Sequence, residues 1–204
     1  MRKTMRQIKK EKTKELILET AYELFSRQGI LNTRMSDIAQ AAGVSHGTVF
    51  LHFETQESLI AGVVEFYCRS IAGRTHELAE SCANLQDFLI AHLQGITEYE
   101  SFYSRLVIEN RMLPVSAREV WINMQSAVSQ HFSQVMDHDR QSIRTDVPLS
   151  MLFNMWMGLI HYYLENSDLF APGESVLQRY SKELCNNYYK LIIAGRKEHH
   201  EKSI

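Results

Sequence analysis

Ser45-His46-Gly47-Thr48 puts two hydroxyls and an imidazole on four consecutive residues. Phe50, His52, Thr55 and Gln56 follow, and Arg34 and Ser36 precede them. Short polar groups of this kind suit hydrogen bonds to base edges, contact with thymine methyls and hydrogen bonds to phosphate oxygens. Thr48 and His46 fit base edges, and Gly47 permits a backbone to come close. Phe50 can pack on a sugar or a thymine methyl but donates nothing. His52 either donates to a phosphate or packs against the helix that follows. Arg34 and Ser36 bring charge and amide groups to a helix start, a favourable place for a phosphate. Thr55 either caps the next helix or adds a contact beside Gln56.

Other chemistry finds little support. The chain has no Gly-rich phosphate loop, zinc-protease helix motif, Gly-x-Ser-x-Gly elbow or Cys-x-x-Cys pair, so an enzyme is not expected. Cys68, His76 and Cys82 have spacings that match no compact tetrahedral site, and Glu198-His199-His200-Glu201 offers only weak ligands at a chain end. No metal or cofactor is expected, although a metal-responsive protein using these Cys and His residues stays open as an alternative. Three widely spaced cysteines fit a reducing cytoplasm. No apolar run approaches the roughly 18–20 residues of a membrane span.

The formal net charge of -2 argues by itself against a nucleic-acid partner, but it averages two unlike parts. Residues 1–14 carry seven basic side chains (Arg2, Lys3, Arg6, Lys9, Lys10, Lys12, Lys14) against Glu11 alone. The remaining 190 residues hold fifteen basic and twenty-three acidic groups, a net of -8. A basic segment on an acidic body is a sign of a chain meeting phosphate or anionic lipid, and on charge alone a solvated tail stays open.

The elements that position these residues are helices. Sustained period-two alternation is absent, and Ile17, Ala21, Leu24 and Phe25 set a helical period over residues 10–28, closed by Gly29. A short helix then carries Ile38, Ala39 and Ala42 on one face. Gly43 turns the chain, Val44 goes inward, and Ser45 caps a second helix at the Thr48 amide. Val49 and Phe53 face the core. This is the pattern of a helix-turn-helix, whose second helix enters a major groove. On spacing alone an ordinary helical hairpin stays open.

Residues 13–66 resemble the N-terminal domain of TetR-type (TetR/AcrR) transcriptional regulators. The resemblance rests on Ile17, Ala21, Leu24, Phe25, Gly29, Thr33, Asp37, Ile38, Ala39, Ala42-Gly43-Val44-Ser45, Gly47-Thr48, Phe50, His52-Phe53 and Leu59, in order and without a gap. Phe50 stands where that family usually has Tyr, and Gln56 where it commonly has Lys. The resemblance implies a cytoplasmic, homodimeric repressor that binds a pseudopalindromic operator in double-stranded DNA. It assigns the DNA face to Arg34, Ser36, Ser45, His46, Gly47, Thr48, Phe50, His52, Thr55 and Gln56. The basic side chains of residues 2–14, beginning in an expected arm over residues 1–10, would compensate with Arg34 for the missing lysine.

The expected architecture is all-α, with about nine helices: a helix-turn-helix domain over residues 11–70, a helical effector-binding and dimerisation domain over 71–195, and a tail over 196–204. One long helix is expected over 56–81, another from Asn84-x-x-Asp87, a short one over 102–112, and one opened by a Ser116–Glu119 capping box with Val115 and Val120 as staple. Phe88, His92, Phe102, Tyr103, Trp121, Met124, Asn154, Trp156, Met157 and His161 are candidates for lining a cavity for a largely apolar small molecule. A regulator without a small-molecule ligand is the alternative. Residues 149–164 are apolar nearly all round, which predicts burial on several sides and hence a subunit interface. Leu152, Met155, Leu159 and Tyr163, with the seam Leu177, Tyr180, Leu184, Tyr188 and Leu191, are the expected dimer contacts. The resemblance implies a four-helix bundle there.

Overall fold

Thr4 caps the first helix: its hydroxyl accepts from the Gln7 amide while the Gln7 side chain accepts from the Thr4 amide. That reciprocal cap starts α1 at Met5–Gln28, so the basic stretch from Arg6 to Lys14 is itself helical. The computed structural model describes residues 4–79, 84–138, 142–144 and 146–193. Arg2, Lys3, Cys82 and the Glu198–Glu201 tail lie outside the described residues. Ten α-helices and one 3-10 turn make up the described chain, and an isolated antiparallel bridge joins Ile143 to Ile193.

α1 packs its Ile17, Leu18, Ala21 and Phe25 against α2 (Met35–Ala41) and α4 (Gln56–Ala79), enclosing α3 (His46–His52) in a small head. α4 has 24 residues and is therefore roughly 36 Å long. Its Leu59, Ile60, Val63 and Val64 complete the core of the head, and Cys68, Ile71 and Thr75 continue into the body. The joint between the two is aromatic. Tyr22 of α1 stacks on Tyr67 of α4 at 3.8 Å, and Tyr99 and Phe102 close around the pair.

In the body, α5 (Leu85–Thr97) buries eight of its thirteen residues between α4 and α10 (Val176–Ile192), and Asn84 caps it at the Asp87 amide as its spacing predicts. α6 (Glu100–Glu109) touches α1 and α8 (Leu149–Glu165), and α7 (Val115–His138) lies along α4 and α8. α9 (Ser167–Phe170) is a single turn.

One expectation fails locally. α7 begins at Val115, with the Pro114 carbonyl accepting from Arg118, so Ser116 lies inside the first turn instead of capping it. Val115 is correspondingly exposed and staples nothing. Within this chain α8 is buried along one side: Leu152, Phe153, Trp156, Met157, Ile160 and Leu164 are buried, while Met151, Met155 and Tyr162 stay about half exposed.

Candidate nucleic-acid interface

The turn before α2 is held from several sides. Thr33 is buried, its hydroxyl donates to the Gly29 carbonyl at 2.7 Å, and Gln28 donates to that hydroxyl. Asp37 accepts from the Arg34 amide at 2.9 Å, which leaves the Arg34 side chain exposed at the start of α2. Gly43, at φ +64°, takes the left-handed conformation that turns the chain between α2 and α3. Ser45 then caps α3 by accepting from the Thr48 amide at 3.1 Å, and Val49 is fully buried. The helix-turn-helix is present as its spacing predicts.

The outer side of α3 presents His46, Gly47, Phe50 and Leu51, with Thr48 and His52 half-buried. His46 and Phe50 meet edge to face at 4.7 Å, so each fixes the other's ring. Thr48 shares a 2.8 Å hydrogen bond with the Ser45 hydroxyl. A shallow depression gathers Arg34, Ser36, His46, Phe50 and Gln56 with Leu31 and Met35. A Cβ on Gly47 would meet nothing in the chain closer than 3.8 Å, so packing within the protein does not require glycine there.

Two of the expected contacts have work inside the protein. Gln56 donates to the Thr33 carbonyl at 3.1 Å, bracing the start of α4 against the α2 turn. Thr55 accepts from the Ser58 amide at 3.0 Å, as a cap does. Leu51 is a further outward-facing residue of α3 that sequence reasoning missed. It is 73% exposed on α3, and the inward positions Val49 and Phe53 already imply that 51 points outward.

The basic turns of α1 run past the end of α3. The Lys14 ammonium lies 5.6 Å from the centre of the Phe53 ring. Partial burial, followed by the charges of Lys10 and Lys14, holds the His52 imidazole below its usual range. Arg6, Lys10 and Lys14 follow one another at four-residue steps and share this side of α1.

A family model described as bacterial regulatory proteins, tetR family, matches residues 17–63, which are α1 from its first buried residue through the helix-turn-helix into α4. The transcriptional repressor KstR2 of Rhodococcus jostii (strain RHA1) is 25% identical over 200 residues, covering 88% of each chain. The uncharacterised HTH-type transcriptional regulator YerO of Bacillus subtilis (strain 168) is 27% identical over 103 residues, 48% of this chain and 36% of its own length. The solved structure of the ketosteroid transcriptional regulator KstR2 of Mycobacterium tuberculosis superposes with a TM-score of 0.65 at 16% identity, covering 89% of this chain and 95% of that one. These matches support a TetR-type regulator, with the family model confined to residues 17–63.

The expected effector residues do not form one set. His92, Tyr103, Met124 and Met157 line an internal cavity together with Ile71, Thr75, Ile96, Gln125 and Val128. Trp156 donates to His92 Nδ1 at 3.1 Å, which leaves the His92 proton on Nε2. Tyr103 accepts from Gln125 at 3.2 Å and lies 3.3 Å from His161 Nε2. Burial lowers both imidazoles to about 4, with His161 and His131 adding to the effect on His92. Gln125 was missed, although it follows Trp121 by one turn of α7. Phe102 belongs to the Tyr22–Tyr67 cluster instead, Trp156 packs at a tilt on Tyr188 in the core, and Asn154 points outward from α8. Phe88 packs on His131 and Phe132, and Trp121 on Tyr103 and His161.

The expected dimer seam also divides. Leu152, Leu177, Leu184 and Tyr188 are buried in this chain's own core, because α10 packs on α5 and α8, and the Tyr188 hydroxyl donates to the Leu152 carbonyl at 2.6 Å. Met155 and Leu191 are exposed, and Leu159, Tyr163 and Tyr180 are half-buried. Cys68 and Cys185 are buried thiols pushed up to about 12, and the described residues contain no group of three metal-binding side chains.

Proposed function

We propose that this chain is a homodimeric, cytoplasmic transcriptional repressor that reads a pseudopalindromic DNA operator and has no enzymatic role. The observation that carries the reading is α3 itself. It is capped by Ser45, locked inward by Val49, and leaves His46, Gly47, Thr48, Phe50 and Leu51 on its outer side beside the basic turns of α1. Arg34, Ser36 and His52 flank it as phosphate contacts, and Arg6, Lys10 and Lys14 supply the charge that Gln56 lacks. Selection of bound DNA from a random pool tests this directly. The expected result is an enriched inverted repeat whose half-sites lie about one helical turn apart, and a pool that stays random overturns it.

An apolar effector acting through α4 fits the same frame, since α4 links the cavity residue Ile71 to the head residues Leu59 and Val63. A ligand that prefers a swung α4 would spread the two recognition helices. The internal cavity is only about 10 Å³, room for one water at most. A ligand would therefore enter from the groove of about 310 Å³ between α4 and α7, which shares Ala72 and Met124 with the cavity. The closed cavity favours a second reading, a regulator governed by its own concentration. A ligand that both raises the melting temperature and weakens operator binding decides for the first.

A further inference from the structure

α6 ends in a carboxylate at each terminus, and both carboxylates grip backbone amides of other segments. At its start, Glu100 accepts from the Val176 amide at 2.8 Å, the Leu177 amide at 3.3 Å and the Ser175 hydroxyl, so it holds the first turn of α10. At its end, Glu109 accepts from the Ile30 amide at 3.3 Å and the Leu31 amide at 2.8 Å, in the turn between α1 and α2. Glu109 is 7% exposed, and Gly29 leaves no space beside it: a Cβ there would lie 2.8 Å from its Oε1. A buried carboxylate is costly unless it is hydrogen-bonded, so these two amides are what keep Glu109 in place. Between the two ends, Tyr103 faces the internal cavity and meets Gln125 and His161.

We propose that α6 is a strut pinned at both ends, and that Glu109 is the positioning residue that fixes the reading head on the body. The turn it grips leads directly to Thr33 and Arg34 at the start of α2, and Gln56 braces the same turn from α4. Two helices thus reach the head from the cavity: α4, and α6 through Glu109. Fixing the turn pre-organises α2 and α3, so less ordering remains to be done when DNA binds. A head that spends part of its time unlatched binds its operator more weakly in proportion to that time. This rests on the DNA-binding reading above.

The test is Glu109→Gln in the full-length protein, which keeps the shape but replaces one acceptor with a donor facing an amide. Glu100→Gln serves as the control at the far end of the strut. Hydrogen exchange of the Ile30 and Leu31 amides should quicken about tenfold in Glu109→Gln, since hydrogen bonds to charged groups are the strong ones. Affinity for the selected operator should fall by a similar factor, with less than a twofold change on random DNA. Glu100→Gln should quicken Val176 and Leu177 and leave Ile30 and Leu31 protected. Where the glutamine variant fails to fold, Glu109→Asp withdraws the charge by one methylene and should move the same readouts. Faster exchange with unchanged operator affinity overturns the positioning role, and unchanged exchange overturns the latch itself. Wild-type protein that selects no DNA defeats the DNA reading instead, and the latch is then judged on exchange alone.

Discussion

The Lys14 ammonium sits 5.6 Å from the Phe53 ring centre, tying the basic third of α1 to the end of the recognition helix. The contact is worth about 0.5–1 kcal/mol at an exposed site, too little to explain the charge that precedes it. Lys10 faces the same end of α3, where it lowers the His52 pKa together with burial and Lys14. Lys10→Ala combined with Lys14→Ala should flatten the salt dependence of DNA binding. Each lost phosphate contact lowers the log–log slope by about 0.9, equally on operator and on random DNA. Titration of the His52 resonance in the free variant should also show its pKa rising toward the usual value. A salt slope equal to that of wild type returns these lysines to solvent.

The head was legible in the sequence because every signal there is local. Gly43, Ser45 and Val49 each act within four residues of themselves, and the chain realises all three. The body was less legible because its polar contacts are long-range. Nothing near residue 109 announces that Glu109 will reach Ile30, 79 positions earlier in the chain, nor that Glu100 will find α10. The seam on α10 illustrates the same limit. Leu177, Leu184 and Tyr188 repeat as an interface would, but periodicity names a buried face without naming what covers it, and here α5 and α8 cover it. Phe102 was assigned to the cavity by its type, whereas its place on α6 turns it toward Tyr22 and Tyr67.

Neutral buried imidazoles make the body acid-sensitive. An unfolded histidine takes up a proton near pH 6.5, whereas His92 and His161 resist until about 4, chiefly because burial disfavours the charged ring. Between those limits the unfolded chain binds more protons. Stability is therefore fully present above pH 6.5 and falls as the pH drops toward 4, by up to about 1.4 kcal/mol per pH unit for each group. Urea denaturation of wild type and His161→Gln at pH 7, 6 and 5 should show the shallower loss in the variant. Parallel curves would remove His161 from the account.

Helices α4 and α5 cross at Gly95, where a Cβ would lie 3.2 Å from the Thr75 Cα. A backbone atom cannot rotate aside, so Gly95→Ala must push the helices apart. Overpacking of this kind costs about 1–3 kcal/mol, more than the roughly 1 kcal/mol that alanine gains over glycine in a helix. Gly73→Ala is the counterpart on α4. Nothing lies within 4 Å of its Cβ position, so it should stabilise by up to about 1 kcal/mol. Chemical denaturation reads both, and a Gly95→Ala protein as stable as wild type would show that this crossing is loose.

The outer stripe of α8 bears on assembly. Met151, Met155, Gly158 and Tyr162 follow one another at three- and four-residue steps, and the three large side chains are 52%, 46% and 54% exposed. In the same helix Leu152 and Trp156 face the core, so the stripe can be charged without disturbing the chain's own packing. Met155→Glu should leave the circular dichroism spectrum and the unfolding midpoint of the single chain near wild type. If the stripe is the two-fold contact, two carboxylates would then meet close to the symmetry axis, where like charges repel in a dry interface. Sedimentation should show a dimer for wild type and a monomer for the variant. Operator affinity should fall steeply, because one recognition helix then reads one half-site alone. Leu184→Glu is the instructive contrast: its side chain is buried in the protomer, so it should unfold the chain outright. A Met155→Glu protein that sediments as a dimer with wild-type affinity would place the contact on another face.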